Sequence, residues 1–132
     1  MRTGGQEEKL VELGERIIGA ALKVHSNLGP GMLESVYEIC LAHELRKRGF
    51  AVEQQKPVSV VYDGLVLDSA YRLDLLVESQ VVIEVKAVAG ILPVHKAQLI
   101  SYLKLGDFPL GYLMNFNEVH MKHGIKRLVK EI

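Results

Sequence analysis

The stretch Ala70-Tyr71-Arg72-Leu73-Asp74-Leu75-Leu76-Val77-Glu78-Ser79-Gln80-Val81-Val82-Ile83-Glu84-Val85-Lys86-Ala87-Val88 decides how the chain is read. Two β-forming runs, Ala70–Val77 and Val81–Val88, flank a short polar segment centred on Ser79, which predicts an antiparallel hairpin. Residues symmetric about that turn oppose each other, Asp74 to Glu84 and Arg72 to Lys86. Side chains alternate with a period of two, so Glu84 and Lys86 share a face and Asp74 joins them from the neighbouring strand. Leu73, Leu75, Val77, Val81, Ile83 and Val85 are expected on the opposite face, where they pin the register. Opposed Cβ atoms lie roughly 4.5–5.5 Å apart. Two carboxylates that close repel each other unless a proton or a cation stands between them.

The surroundings make these charges costly. Val81, Val82, Ile83 and Val85 enclose Glu84 in a run typical of a strand covered on both faces. Mg²⁺ suits a carboxylate pair, being a hard cation that takes a few carboxylates and keeps several waters. A buried ion-pair network, with Lys86 neutralising one carboxylate and Arg72 the other, fits the hairpin equally well.

Upstream, Leu10, Leu13, Ile17, Ala20, Ala21, Val24 and Leu28 follow the spacing of an amphipathic helix that stops at Gly29-Pro30-Gly31. Leu33, Val36, Tyr37, Cys40, Leu41 and Leu45 mark a second helix, with Gly49 in the C′ position. From Val52 to Leu67 the residues are β-formers, and Asp63-Gly64 signals a two-residue hairpin turn. Downstream, Pro93 opens a third helix that runs to about Leu105 and stops at Gly106. Leu110–Phe116 and Ile125–Ile132 read as strands. The order is α-α-β-β-β-α-β-β, an α/β fold with a mixed β-sheet flanked by helices.

The 132 residues suit one domain, 1–132. Cys40 is the only cysteine, so no intrachain disulfide forms; it reads as a core filler in a reducing compartment. No apolar run approaches the roughly 20 residues of a membrane span. The polar, acidic Met1–Lys9 does not read as a signal peptide. A cytoplasmic location and no membrane partner are expected. Sixteen basic residues balance 16 acidic ones, which argues against a strong non-specific grip on phosphates. Local basic groups remain at Arg46-Lys47-Arg48 and at Lys122, Lys126, Arg127 and Lys130; such runs are commonly solvated faces.

An aspartate followed ten residues later by Glu-x-Lys resembles the motif of the PD-(D/E)XK nuclease superfamily, with Leu73 where the nominal proline would stand. Gly31-Met32-Leu33-Glu34-Ser35-Val36-Tyr37 resembles the motif of the small prokaryotic GxxExxY proteins, a branch of that superfamily. The lead-in Val24–Gly31, the hairpin, Pro93–Leu99 with Ser101-Tyr102-Leu103, and Gly111–Phe116 resemble that family's other blocks in the same order, from about Leu10 to Val129.

The resemblance implies a restriction-endonuclease-like core and hydrolysis of phosphodiester bonds in DNA or RNA with Mg²⁺ or Mn²⁺. It implies Asp74, Glu84 and Glu34 as metal ligands, and Lys86 as the group that positions water or neutralises developing charge. Glu34 also reads as a first-turn glutamate favoured by the helix dipole. Gln98 and Tyr102, four apart on one helix face with His95 a turn earlier, resemble the Gln-x-x-x-Tyr element of RecB-like nucleases. That implies Gln98 as a further active-centre residue and Tyr102 as a substrate contact, against a core role for Tyr102. His95 and His25 are candidate phosphate contacts, although a lone histidine is commonly structural. Tyr37 reads as core.

A domain this small grips its substrate with a dimer or partner, for which the apolar runs near Leu110 and the C-terminus are candidate interfaces. The alternative is a non-catalytic nucleic-acid-binding or assembly module that keeps the fold, which the zero net charge favours.

Overall fold

A computed structural model describes residues 2–130. Thr3 starts the first helix by a reciprocal cap: its hydroxyl accepts the Gln6 N–H at 3.2 Å while the Gln6 side chain accepts the Thr3 N–H at 2.7 Å. Helix α1 (Gly4–Leu28) therefore begins two turns before the apolar periodicity, in a polar stretch that periodicity alone does not reveal. Helix α2 (Glu34–Lys47) follows, then strands β1 (Val52–Tyr62), β2 (Leu65–Val77) and β3 (Val81–Lys86). Helix α3 (Pro93–Gly106) leads to β4 (Leu110–Asn115), a short 3₁₀ turn at Met121–Gly124 and β5 (Ile125–Val129). The expected end of the last strand, at Ile132, lies outside the described residues.

The strands form one mixed sheet in the order β1-β2-β3-β4-β5. Only β3 and β4 are parallel; the other neighbours are antiparallel. The parallel pair needs a crossover, and α3 supplies it. One face of the sheet packs on α1 and α2 through Leu75, Val77, Val81, Ile83, Val85, Tyr112 and Met114. The other packs on α3 through Leu73, Leu76, Val82, Leu99, Leu103 and Leu113. This is the α/β, restriction-endonuclease-like architecture with its mixed sheet flanked by helices, in the expected element order. Among the described residues no helix is long and apolar enough to cross a membrane.

Several local expectations change. The β-formers after Asp63-Gly64 and the run Ala70–Val77 are one strand: β2 continues from Leu65 to Val77 because an irregularity opposite Val58–Val60, with Ser69 at φ 52°, bends it without ending it. Asp63-Gly64 does make the tight turn, with φ 48° and 80°, and Tyr62 pairs with Leu65 across it. Leu110 is fully buried in a strand buried along its whole length, so the run around it forms core and cannot form an interface. The C-terminal strand β5 does lie at a sheet edge. The Arg46–Arg48 run is drawn into the fold. Arg46 donates to the Gln54 side chain and the Val52 carbonyl, and Arg48 bridges to Glu44 at 2.8 Å.

Candidate metal centre

The hairpin pairs Val77 with Val81, Leu76 with Val82 and Leu75 with Ile83, the register predicted by a turn centred on Ser79. At the next step the backbone ladder stops and side chains take over. The Asp74 N–H donates to Glu84 Oε2 at 2.9 Å, and the Val85 N–H donates to Asp74 Oδ2 at 2.8 Å. Each carboxylate thus occupies a place that a strand carbonyl would fill, which holds the pair side by side on rigid backbone. The same break corrects two expectations. Arg72 does not oppose Lys86; it pairs with Pro57 and is exposed. Leu73 does not join Leu75; it packs with Leu76 and Val82 against α3.

The electrostatics follow from burial. Glu84 is 6% exposed, and desolvation, with the Asp74 charge second, pushes its carboxyl up to about 8. Desolvation also raises Asp74, opposed by the hydrogen bond from the Val85 N–H and by the nearby Lys86 charge. Among the described residues neither Lys86 nor Arg72 forms an ion pair with either carboxylate within 4.0 Å. The ion-pair network that the hairpin alone permits is therefore not what the fold builds.

Lys86 is half-buried at the end of β3, where the backbone is clamped to β4. The Phe116 N–H donates to the Lys86 carbonyl at 2.9 Å. Asn115, 1% exposed, accepts from the Val88 N–H at 3.1 Å and donates to the Val88 carbonyl at 2.9 Å. Asn115 thus extends the parallel pairing with a side chain and fixes the strand that carries Lys86. Sequence reading missed it, although a lone amide at the end of an apolar strand is a visible signal.

The first helices bring two acids toward the pair. Glu34 is exposed in the first turn of α2, and its charge reaches Asp74. It borders a groove of about 400 Å³ lined by Met32, Leu33, Ser35 and Ala87. Glu38, one turn on, was not anticipated. It is half-buried and accepts from Gln55 Nε2 at 2.7 Å, while the same nitrogen lies 3.4 Å from Asp74 Oδ1. Burial first, and the Asp74 charge second, raise Glu38. Its i, i+4 spacing from Glu34 was the available clue.

The Gly31–Tyr37 motif has a mechanical role. Tyr37 is fully buried, stacks on Phe116 with centroids 4.7 Å apart, and donates its hydroxyl to the Gly29 carbonyl at 2.5 Å. It also accepts the Met32 N–H at 3.0 Å. Gly31, between those anchors, holds φ 100°, open to glycine and strained for other residues. Tyr37 therefore locks the turn that sets where α2 begins and where Glu34 stands.

The remaining candidates divide. Tyr102 is half-buried, stacks on Tyr71 at 4.5 Å, and is raised by burial first and then by the Glu84 charge, which puts it beside the carboxylates. Gln98 is exposed on α3, one turn before Tyr102. His95 Nδ1 accepts the Leu92 N–H at 2.9 Å and so caps α3. His25 is buried, and its Nε2 lies 2.7 Å from the Glu118 carbonyl, tying α1 to the loop after β4. That ring is engaged in structure.

The donor set fits a hard divalent cation. Among the described residues no three His, Cys, Asp or Glu side chains form a ready metal cage. Mg²⁺ does not require one, since it is commonly bound by one or two carboxylates, waters and substrate phosphate. Asp74 and Glu84 each commit one oxygen to a backbone N–H; the second oxygen of Asp74 meets only the long contact from Gln55 Nε2 at 3.4 Å.

A family model described as the PD-(D/E)XK nuclease superfamily matches residues 11–128. The chain belongs to this superfamily. The matched span includes every candidate residue from His25 to Tyr102 and the hairpin whose ladder the carboxylates interrupt. Neither the curated proteins nor the solved structures include a significant match to the chain.

Proposed function

We propose that this protein, as one domain spanning 1–132, is a Mg²⁺- or Mn²⁺-dependent nuclease of the GxxExxY branch that hydrolyses phosphodiester bonds of DNA or RNA in the cytoplasm. One observation carries the reading: Asp74 and Glu84 are held together by backbone hydrogen bonds, with no ion-pairing side chain within 4.0 Å among the described residues. Two desolvated carboxylates on rigid backbone are unfavourable unless a cation or proton joins them.

Asp74 and Glu84 would hold the metal, with Glu34 or Glu38 completing the acidic wall. A bound divalent ion supplies an activated water and neutralises charge on the scissile phosphate. Lys86, clamped at the strand end, offers N–H donors to the phosphate oxygens or to the attacking water. The β2–β3 backbone keeps both carboxylates pre-oriented, so little reorganisation is needed as charge develops. Tyr102 and Gln98 approach from α3 as substrate contacts.

The test is cleavage of single- and double-stranded DNA and RNA with Mg²⁺ or Mn²⁺, by wild type and Asp74→Ala. Metal-dependent cleavage by wild type alone supports the reading. No cleavage of any substrate, with no metal-induced rise in melting temperature, supports the non-catalytic binding module that zero net charge favours.

A further inference from the structure

The zero net charge of the chain is a cancellation of unlike halves. Residues 1–92 carry ten basic and 13 acidic residues, whereas residues 93–132 carry six basic and three acidic ones. The sheet decides where part of that positive excess stands. Register runs straight across it, from Glu84 on β3 to Leu113 on β4 to Lys126 on β5. Cross-strand partners share a face, so Lys126 lies on the same face as Glu84, two strand spacings or about 10 Å away. Lys122 stands just before it, in the 3₁₀ turn that leads into β5.

Helix α3 adds a third cation. It lays Leu99 and Leu103 on the sheet and brings Tyr102 to the Glu84 side. At about 100° per residue, Lys96 falls on the opposite flank of the helix, toward β5, against which α3 also packs. Lys96, Lys122 and Lys126 are all exposed, and none is ion-paired among the described residues. Their basic neighbours are placed differently: Lys130 bonds to Asp107, and Arg127 lies on the other face with Tyr112. Glu118, the one acid between Phe116 and Lys130, is half-buried.

Free ammonium groups beside a carboxylate pair fit a polyanion whose charges recur at short intervals. Along one strand of duplex DNA a phosphate recurs every 3.4 Å or so, and the roughly 10 Å from Glu84 to Lys126 spans about three of them. Membership of a nuclease superfamily selects nucleic acid over other polyanions.

We propose that Lys96, Lys122 and Lys126 form a phosphate-binding flank on the β5 side of the carboxylate pair, along which a nucleic-acid backbone lies. The flank shares with the nuclease reading only its nucleic-acid partner.

The test is binding of the whole chain to fluorescently labelled single-stranded and duplex DNA and RNA oligonucleotides, by anisotropy over a salt series. A chelator is present, so that nothing is cut. Wild type should bind with an affinity that falls as salt rises. Lys122→Gln combined with Lys126→Gln should bind about tenfold more weakly at low salt, and the slope of log affinity against log salt should shrink by about two. Lys9→Gln combined with Lys47→Gln removes the same charge from the first turns of α1 and from the end of α2 opposite Glu34. That control should stay close to wild type. Should the first pair disturb the fold by circular dichroism, Lys96→Gln alone reads the same flank, with the slope shrinking by about one. Equal losses in both pairs would reduce the effect to net charge and overturn the proposal, as would a wild type that binds none of the oligonucleotides. Binding through the lysines without cleavage in Mg²⁺ or Mn²⁺ would uphold the flank and count against the nuclease reading alone.

Discussion

Two buried polar clusters sit side by side at the ends of β3 and β4, and they are built on opposite terms. In the Asn115 clamp, a neutral amide meets the Val88 N–H, the Val88 carbonyl and the Asn117 N–H. Every strong hydrogen-bonding group there has a neutral partner. In the Asp74–Glu84 pair, two acids receive one backbone N–H each, and burial disfavours their charge. Burying a satisfied amide stabilises a fold, while burying two under-compensated carboxylates costs it. The clamp needs no purpose beyond structure. On the proposed reading the pair serves a bound cation, with the clamp holding Lys86 in place beside it.

The largest expected effects are on the pair. Asp74→Ala or Glu84→Ala should lower metal-dependent cleavage on the order of 10³-fold or more, the scale of losing one member of a catalytic unit. Glu84→Gln should also lose cleavage yet raise the melting temperature of the metal-free protein, because a neutral amide escapes the desolvation cost. A metal-free protein destabilised by Glu84→Gln would break the contrast between the two clusters. Next comes Lys86→Ala, expected to cut the rate roughly 10²-fold while leaving the Mn²⁺-induced rise in melting temperature intact. Loss of both readouts would make Lys86 part of the binding site and not of the chemical step.

On the structural side, Asn115→Ala should cost about 1–3 kcal/mol of stability in denaturant titration, since it leaves the Val88 N–H unpaired. Mn²⁺ should still stabilise the folded remainder. The pH dependence separates the clusters again. Glu84 titrates at about 8 when folded and near its ordinary value when unfolded. Between those values the unfolded chain ionises and the folded one does not, so metal-free stability falls as pH rises toward about 8. The slope from this group is at most about 1.4 kcal/mol per pH unit. Asp74, also raised, adds with the same sign, and Glu84→Gln should flatten the profile. The smallest effect is expected of Tyr71→Phe. The Tyr71 hydroxyl is buried without a partner, so its removal should be neutral or slightly stabilising by thermal melt.

Much of this contrast was legible in the residues. The Asp63-Gly64 turn, the Ser79-centred register and the buried β3 run rest on local patterning, and each occurs as expected. The continuity of β2 was not legible, because Ser69 adopts a left-handed conformation that only the pairing with β1 reveals. Asp74 and Glu84 were found because charges inside an apolar hairpin are conspicuous. Glu38 and Gln55 were missed because they reach Asp74 from α2 and β1, segments whose packing no periodicity specifies. The same blindness made Leu110 look like surface: an apolar strand reads alike whether it faces a partner molecule or the neighbouring helices. His25 shows the converse, with a candidate phosphate ligand engaged instead by the Glu118 carbonyl.

The central claim is that the Asp74–Glu84 pair is a cation site, and calorimetric titration of Mn²⁺ into wild type and Asp74→Ala tests it most directly. Wild type should bind with an affinity that rises with pH up to about 8, as Glu84 gives up its proton, and Asp74→Ala should show no binding. Equal binding by both proteins, or binding by neither, would contradict the account.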